Sequence, residues 1–329
     1  MITWGISANS HDGALAVFDK NELVFASHTE RFSGLKNDPH LNHSIIDYAR
    51  QWGEPDEVIW YEKPFKKTVR QLVAGQGWNY NENNIKTYLQ QYNINAPIGY
   101  SNHHESHAAG GYYTSGFSDA TIVVIDSIGE FETFTIWEGK GDKLKKVYSQ
   151  GYPNSIGLFY SAMTQRIGLK PNEDEYILMG MAAYGDHKNY YEEIKELFFK
   201  LGAHNHWTTP SVKFKQNLHR GCNWWRPELN TEQDMADIAA TTQHIFEQVL
   251  MCASSWIQMN IKTSNIILVG GCALNKTAVS KLESVWDDIW VPKNPGDPGS
   301  CIGAVCAKYH KHIDNSNEMW YNKDNGEAK

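Results

Sequence analysis

Residues 120–130, ATIVVIDSIGE, decide the fold of this chain. The apolar run Thr121 to Ile125 predicts a buried strand, and Asp126, Ser127 and Gly129 follow it. A buried strand that ends in an acid and small residues typically brings a carboxylate into a cleft and opens a turn that fits a phosphate. Beyond it we predict a turn at 129–130, a strand over 133–137, a turn over 139–142 and a strand over 144–148.

The same succession of elements occurs near the start of the chain. Strands are predicted over 3–7, 14–18 and 23–28, then helices over 42–52 and 64–75 with a strand over 57–61 between them. The second meander is also followed by helices, predicted over 156–167, 190–201 and 233–259, by a strand over 266–269, by a helix from Ala273 and by a last helix over 302–310. Two such copies indicate an internal duplication with a cleft between two lobes.

The duplication divides the chain into four parts. We expect lobe I over 1–118, lobe II over 119–300 with an insert near 204–229, a C-terminal helix over 301–313 and a polar tail over 314–329. In one possible arrangement the C-terminal helix packs back against lobe I. The insert carries Trp207, Trp224 and Trp225 in a polar loop. Their rings predict stacking on an acceptor molecule, and the alternative is that they fasten the loop to its lobe.

Composition excludes several classes of protein. The 329 residues contain 30 basic and 38 acidic side chains, a net charge of −8, without a dense basic block, so we expect no non-specific nucleic-acid binding. No run of eighteen apolar residues occurs and the N-terminus enters a strand directly, which argues against a membrane protein or a secreted precursor. The five cysteines form no CxxC pair, which predicts free thiols and a cytoplasmic location.

Two histidines suggest a metal. His103 and His107 are four residues apart, so on a helix their imidazoles share one face and suit one cation. Together with a strand-end acid they form a mixed nitrogen and oxygen set, which suits Fe, Mn or Zn better than Mg. The alternative is a chance pair on a solvated helix.

Eight motifs occur in order along the chain. They are GISANSHDGA at 5–14, ERF at 30–32 with Lys36 and Asp38, HxExH at 103–107, DxxGE at 126–130, SIGLFY at 155–160, EYxxMGMAxYG at 175–185, GGCALN at 270–275 and DxGxxxGA at 297–304. Together they resemble the carbamoyltransferase family that O-carbamoylates antibiotics and nodulation factors. That family shares its catalytic module with the enzymes that make N6-threonylcarbamoyladenosine in tRNA.

The resemblance implies a fold, a metal and a donor. The fold is α/β, the duplicated two-lobe actin/hexokinase/Hsp70-like (ASKHA, RNase H-like) fold. The metal is a divalent cation on His103, His107, Asp126 and Asp297, expected as Fe(II) with Mn, Zn or Mg as alternatives. The donor is carbamoyl-adenylate, an adenylate nucleotide whose phosphate the cation would neutralise while an acceptor hydroxyl attacks.

The resemblance also assigns roles to single residues. Asp126, Ser127, Gly129, Gly270, Gly271 and Gly299 are expected at the nucleotide. Asn275 would contact the ribose or base, or would cap a helix. His11 and Asp12 would act on the acceptor hydroxyl, or Asp12 would cap its turn. Lys36 and Arg31 would contact carbamoyl or phosphate oxygens, or form surface salt bridges.

Three departures from the family pattern matter. Ser127 stands where the family commonly has Gly, and Ile177 stands where it often has Lys. No YrdC-like domain, which makes carbamoyl-adenylate in full-length relatives, is recognised in residues 1–329. We therefore expect a separate YrdC-like partner and a small-molecule or nucleotide acceptor, with direct use of carbamoyl phosphate as the alternative.

Other functions of the same fold fit less well. A sugar kinase or Hsp70-like ATPase needs no HxExH pair. A tRNA threonylcarbamoyl-transferase is disfavoured by the acidic charge, the His11-Asp12 turn and the block at 175–185. An adenylate-binding remnant without activity is disfavoured because all four metal-type residues are present.

Overall fold

Two mixed five-stranded sheets form the frame of the protein in the computed structural model, which describes residues 1–200, 210, 212–313 and 320–321. The first sheet has the order β3-β2-β1-β4-β5. Its first three strands form an antiparallel meander, and β4 and β5 continue the sheet parallel to β1. These strands are β1 (Ile2–Ser7), β2 (Ala14–Asp19), β3 (Glu22–His28), β4 (Glu57–Trp60) and β5 (Ile98–Tyr100).

The second sheet repeats the first strand for strand. Its order is β8-β7-β6-β9-β10, with an antiparallel meander and two further strands parallel to β6. Its strands are β6 (Asp119–Gly129), β7 (Glu132–Lys140), β8 (Lys143–Gly151), β9 (Asn265–Val269) and β10 (Asp288–Trp290). Both sheets thus have the order third, second, first, fourth, fifth, and the predicted duplicated two-lobe α/β fold of the actin/hexokinase/Hsp70-like type is confirmed.

Eleven α-helices of the described residues follow the strands in both halves. Local sequence explains several ends: α3 begins at Pro64, and Thr231 and Asp234 form a capping box at the start of α9. The helices are α1 (Glu30–Ser33), α2 (His43–Ala49), α3 (Pro64–Val73), α4 (Ile85–Gln90), α5 (His103–Tyr113), α6 (Ile156–Arg166), α7 (Glu175–Met181), α8 (Tyr191–Phe198), α9 (Glu232–Asn260), α10 (Lys276–Ser280) and α11 (Ser300–Tyr309).

Some elements differ from the predictions. The edge strands β5 and β10 have three residues each, too few for a pattern of alternation to show. The helix predicted over 42–52 is α2 followed by a 3₁₀ turn, and the helix predicted from Ala273 begins at Lys276 after another 3₁₀ turn. Strand β6 does not stop at Ile125 but runs to Gly129, with a shift of register against β7 between these two residues.

The last helix lies against the first half of the chain. Helix α11 packs on α5 and on β1, and its residues Ser300 to Cys306 are buried. Within the tail expected to be polar, Trp320 is buried and the amide of Tyr321 donates to the carbonyl of Ala26 in β3 at 2.8 Å. The segments 314–319 and 322–329 of that tail lie outside the described residues. In the described part of the chain, none of the helices combines the length and apolarity needed to cross a membrane.

Candidate functional site

Four side chains from three elements converge between the lobes. His103 and His107 lie one turn apart on α5, Asp126 comes from β6, and Asp297 lies just before α11. One ligand atom from each lies within 4.8 Å of the others. The Nε2 atom of His103 is 3.1 Å from Nε2 of His107, 3.0 Å from Oδ2 of Asp126 and 3.4 Å from Oδ1 of Asp297. His107 Nε2 is 3.5 Å and 3.3 Å from the same two carboxylate oxygens.

These distances fit ligands of one cation. Atoms bonded about 2.1 Å from a cation lie roughly 3.0 Å apart at right angles and roughly 3.4 Å apart at the tetrahedral angle. The five distances above span that range. The two imidazole nitrogens face each other with room for one proton between them, whereas a cation would engage both lone pairs and both carboxylates. Two imidazoles and two carboxylates suit Fe, Mn or Zn.

Electrostatics of the cluster favour negative carboxylates. Burial would raise the pKa of Asp126, but hydrogen bonds from His103 and His107 outweigh it and hold that pKa well below its usual range. Burial would lower the pKa of His103, but Asp297 and Asp126 raise it well above its usual range. The two carboxylates thus favour positive charge at the imidazoles, and a bound cation would supply that charge in place of protons.

A second layer of side chains orients the histidines. The Oγ of Ser300 lies 3.2 Å from Nδ1 of His107, and Oε2 of Glu62 lies 3.7 Å from Nδ1 of His103. Glu62 is buried and paired with Lys67 at 2.7 Å. A Cβ on Gly129 would lie 2.2 Å from Cδ2 of His103, so only glycine lets β6 approach the ring this closely. Ser300 is thus placed to fix the tautomer and direction of His107, whereas Glu62 acts on His103 through its charge, and Nδ1 of His103 has no hydrogen bond among the described residues.

His104 and Glu105, from the same HHESH segment, point elsewhere. Glu105 accepts from Nδ2 of Asn102 at 2.6 Å and is not part of the cluster. His104 is fully buried, with Nδ1 2.9 Å from Oγ1 of Thr135, and burial holds its pKa well below the usual range. His104 is therefore a neutral core residue.

A cavity of about 670 Å³ lies next to the cluster. Asp126 and Asp297 line it, so both carboxylates of the cluster can be reached from the cavity. Its walls bring together most of the residues singled out in the sequence, namely His11, Asp12, Lys36, Ser127, Gly271 and Asn275. The cavity is large enough for a small-molecule ligand.

Four of the residues predicted at the nucleotide or as catalytic groups do not line this cavity. Gly129 packs on His103, and the amide of Gly270 donates to the carbonyl of Pro295 at 2.7 Å. Gly299 lies at a smaller cavity that His107 also lines. The guanidinium of Arg31 is 3.9 Å from Glu30, the surface salt bridge that was its alternative role.

Two other predicted residues line the cavity, and the contacts of Asn275 fit both of its alternatives. Asn275 caps α10 by accepting from the amide of Ala278 at 3.0 Å, and it lines the cavity while exchanging hydrogen bonds with Gln243. The Nζ of Lys36 lies 5.3 Å from the centre of the Tyr176 ring and faces the cavity.

His11 links the two halves of the chain. Its Nδ1 is 2.9 Å from Oδ2 of Asp12, and its Nε2 is 2.7 Å from the carbonyl oxygen of Asn172, in the segment between α6 and α7. Both partners accept hydrogen bonds, so this arrangement holds the protonated imidazolium. The hydrogen bond to Asp12 raises the pKa of His11 to about 9.

The stacking prediction for the insert is wrong for Trp225, which is buried and whose Nε1 donates to Glu193 at 3.0 Å, so it fastens the loop, which was the alternative. Trp224 is 54% exposed and lies against Phe198. Neither ring lines the cavity. Trp207 lies outside the described residues. His219, from the same segment, does line the cavity.

Sequence reasoning missed several residues of the site. Glu62 lies two residues after the end of the apolar strand β4, much as Asp126 follows the apolar run in β6, and this parallel was a usable signal. Arg70 and Asn172 line the cavity without a motif that marks them. Tyr160 lines it too, and its hydroxyl donates to Gln243 at 2.8 Å. Such contacts join residues far apart in sequence, which no local pattern reveals.

Comparison with known proteins places these features in a family. The profile of the family described as "Carbamoyltransferase N-terminus" matches residues 59–306. An uncharacterized protein of Synechocystis sp. is 29% identical over 355 aligned residues, which cover 94% of this chain and 57% of that protein. The 3'-hydroxymethylcephem-O-carbamoyltransferase of Amycolatopsis lactamdurans is 22% identical, with 90% of this chain and 57% of that enzyme covered.

The chain spans little more than half the length of these curated relatives, 57% in both cases. Among solved structures, the activator of 2-hydroxyisocaproyl-CoA dehydratase from Clostridium difficile with bound ADPNP is similar to it. That similarity has a TM-score of 0.47 and 13% identity, and it covers 93% of this chain and 94% of the other.

Proposed function

The chain belongs to the carbamoyltransferase family, and from this premise we propose that it moves a carbamoyl group from carbamoyl-adenylate to a hydroxyl of a small-molecule or nucleotide acceptor, with a divalent metal. The observation that carries this proposal is the convergence of two imidazoles and two carboxylates beside a cavity of about 670 Å³. The name of the Amycolatopsis relative, an O-carbamoyltransferase, supports the hydroxyl acceptor.

In this proposal His103, His107, Asp126 and Asp297 hold the metal, expected as Fe(II) with Mn, Zn or Mg as alternatives. A bound cation would neutralise the donor phosphate and polarise the carbamoyl carbonyl. Ser127, Gly271 and Asn275 contact the nucleotide, because they lie on the lobe II side of the cavity. Lys36 contacts carbamoyl or phosphate oxygens from the lobe I side.

The transfer forms one bond and breaks another. The acceptor oxygen bonds to the carbamoyl carbon, the bond from that carbon to the phosphate oxygen breaks, and AMP leaves with the electron pair. The hydroxyl proton passes to His11 beside Asp12. Since His11 has a pKa of about 9, it must first lose a proton, so transfer is expected to accelerate as the pH rises towards that value.

The donor has to be supplied. Carbamoyl phosphate is a poor substrate for direct attack by an alcohol unless a good leaving group is held in place, and a YrdC-like protein or domain would provide the adenylate. We therefore propose a YrdC-like partner for residues 1–329.

The test is an assay of the purified chain with a panel of sugars, nucleosides and nucleotides, read by mass spectrometry for an added carbamoyl group. Product is expected with carbamoyl-adenylate, or with carbamoyl phosphate, ATP and a YrdC-like protein. None is expected with carbamoyl phosphate and ATP alone. His107→Ala is expected to abolish transfer, and His43→Ala, at an exposed position far from the cluster, to leave it unchanged. Full turnover on carbamoyl phosphate without nucleotide or partner would refute the two-protein scheme.

A further inference from the structure

One buried cation of the cavity forms no ion pair with the acids of the described residues. Arg70 is only 8% exposed and lines the cavity from α3. Its Nη1 donates to the side-chain oxygen of Gln76 at 2.7 Å, but its buried Nε has no hydrogen-bond partner in the part of the chain that the structure describes. Within residues 1–200, 210, 212–313 and 320–321, no carboxylate forms an ion pair with it. Burying a guanidinium without a counter-charge is costly, and ligand anions commonly supply that charge at binding sites.

The acid nearest along the chain is already engaged. Glu62 pairs with Lys67 at 2.7 Å and lies 3.7 Å from His103, on the side of the metal cluster. Arg70 follows Lys67 on α3 by about one turn, so it continues the row of cations beyond this ion pair.

Two further groups add positive or donor character near Arg70. His219 lines the same cavity as Arg70, and among the described residues its buried Nδ1 has no hydrogen-bond partner. Burial lowers the pKa of His219, and the positive charges of Arg70 and Arg220 lower it further. The Nη2 of Arg220 lies 2.9 Å from the position that a Cβ would take on Gly75, at the end of α3.

We propose that Arg70 and His219 form an anion-binding subsite for the acceptor, so that the acceptor is a hydroxyl compound carrying a phosphate or a carboxylate. The guanidinium fork of Arg70 suits either group with paired hydrogen bonds. The donor phosphate is assigned to the four-residue cluster, which leaves this end of the cavity for the acceptor. The identification of the bound anion as part of the acceptor rests on the proposed function. The anion-binding subsite itself rests on the contacts described above.

Binding of inorganic phosphate tests the subsite without any transfer reaction. Isothermal titration with sodium phosphate is performed on the protein in the presence of AMP, which keeps the donor phosphate position filled. Wild type is expected to bind phosphate saturably, and Arg70→Met about tenfold or more weakly, because a charge-assisted bidentate contact is lost. The matched control is Arg226→Met, whose guanidinium is paired with Glu193 and Glu228 and does not line the cavity.

A second variant keeps the test informative if Arg70→Met does not fold. His219→Ala changes a half-buried loop residue and is also expected to weaken phosphate binding, by a smaller factor. Sodium acetate in the same titration separates a carboxylate preference from a phosphate preference. No saturable binding of either anion to wild type, or equal binding to wild type, Arg70→Met and His219→Ala, would overturn the subsite.

Transfer to matched acceptors separates this inference from the proposed function. Hydroxyl compounds are compared with and without a phosphate, glucose and glucose 6-phosphate among them, using carbamoyl-adenylate. The phosphorylated member is expected to react, and Arg70→Met to raise its KM while the donor KM stays constant. Equal transfer to neutral members, unaffected by Arg70→Met, would refute the anionic acceptor but keep the carbamoyltransferase. Phosphate binding without transfer to any member would support the subsite and count against the proposed donor.

Discussion

The Nε2 atoms of His103 and His107 lie 3.1 Å apart on one face of α5, with oxygens of Asp126 and Asp297 within 3.5 Å of both. Two imidazole lone pairs are held this close when a shared proton or cation lies between them. The relationship decides how the site is to be tested, because removing either ring leaves two carboxylates facing a single base.

Metal content is the most direct measurement. We expect wild type to carry about one divalent metal ion per chain and His107→Ala to carry far less, because the variant loses one of the four ligands and keeps a single imidazole beside the two carboxylates. Elemental analysis of the purified proteins measures both. His43→Ala, an exposed histidine on α2, is the matched control. Equal metal content in wild type and His107→Ala would contradict the assignment of His107 as a metal ligand.

Glu62 is a positioning residue whose effect should appear in affinity. Glu62→Gln weakens the attraction between its carboxylate and Nδ1 of His103 and leaves Lys67 without an ion pair. Metal affinity is expected to fall about 10- to 100-fold, the usual effect of losing a partner of a metal-binding imidazole. Competition with a chelator of known affinity measures it. Glu22→Gln, at an exposed position in β3, serves as control, and an unchanged affinity in Glu62→Gln would contradict the role.

The His11 contact predicts a pH dependence of stability with a definite sign. Its folded pKa of about 9 lies above the ordinary value of 6.5, so its contribution is complete below 6.5 and is lost as the pH rises through 9. The free energy of unfolding of wild type should therefore exceed that of His11→Gln most at pH 6 and approach it above pH 9. Denaturant unfolding at several pH values tests this. A difference that grows with pH would mean that the folded state favours neutral imidazole.

The contact between α5 and α11 predicts a large effect of one methyl group. A Cβ on Gly303 would lie 1.8 Å from the carbonyl oxygen of Ser106, so Gly303→Ala must push the two helices apart. We expect a loss of at least about 2 kcal/mol in the free energy of unfolding, together with loss of metal, since His107 follows Ser106. Gly180→Ala is the control: nothing lies within 4 Å of its Cβ, and the change should stay within about 1 kcal/mol. Equal stability of both variants would show that the helices adjust freely.

The fold was predictable because its signals are local and repeated. Each meander consists of strands long enough to show apolar runs, and the second copy, β6 to β8, repeats the order of strands and turns seen in β1 to β3. The strands that were missed, β5 and β10, are three-residue edges held by their neighbours rather than by their own pattern. The end of β6 was placed too early, at Ile125, because the sequence pattern does not distinguish an acid inside a strand from an acid that follows one.

The site was predictable where a motif carried it and not elsewhere. His103 and His107 follow from their spacing, and Asp126 from its strand, whereas Asp297 came only from the family resemblance. Arg70 and Asn172 are brought to the cavity by packing between distant segments, and nothing in the neighbouring sequence indicates this. Trp225 shows the reverse error, since an aromatic residue in a polar loop turned out to be buried core.

The hydrogen bond between His107 and Ser300 closes a loop of 193 residues. The metal cluster likewise joins α5 to the segment just before α11, near the end of the described chain. A nascent chain that has not yet emerged as far as α11 therefore lacks one of the four ligands, however well lobe I has formed. Metal uptake would then follow the docking of α11, and the bound ion would mark chains in which α11 has packed on α5.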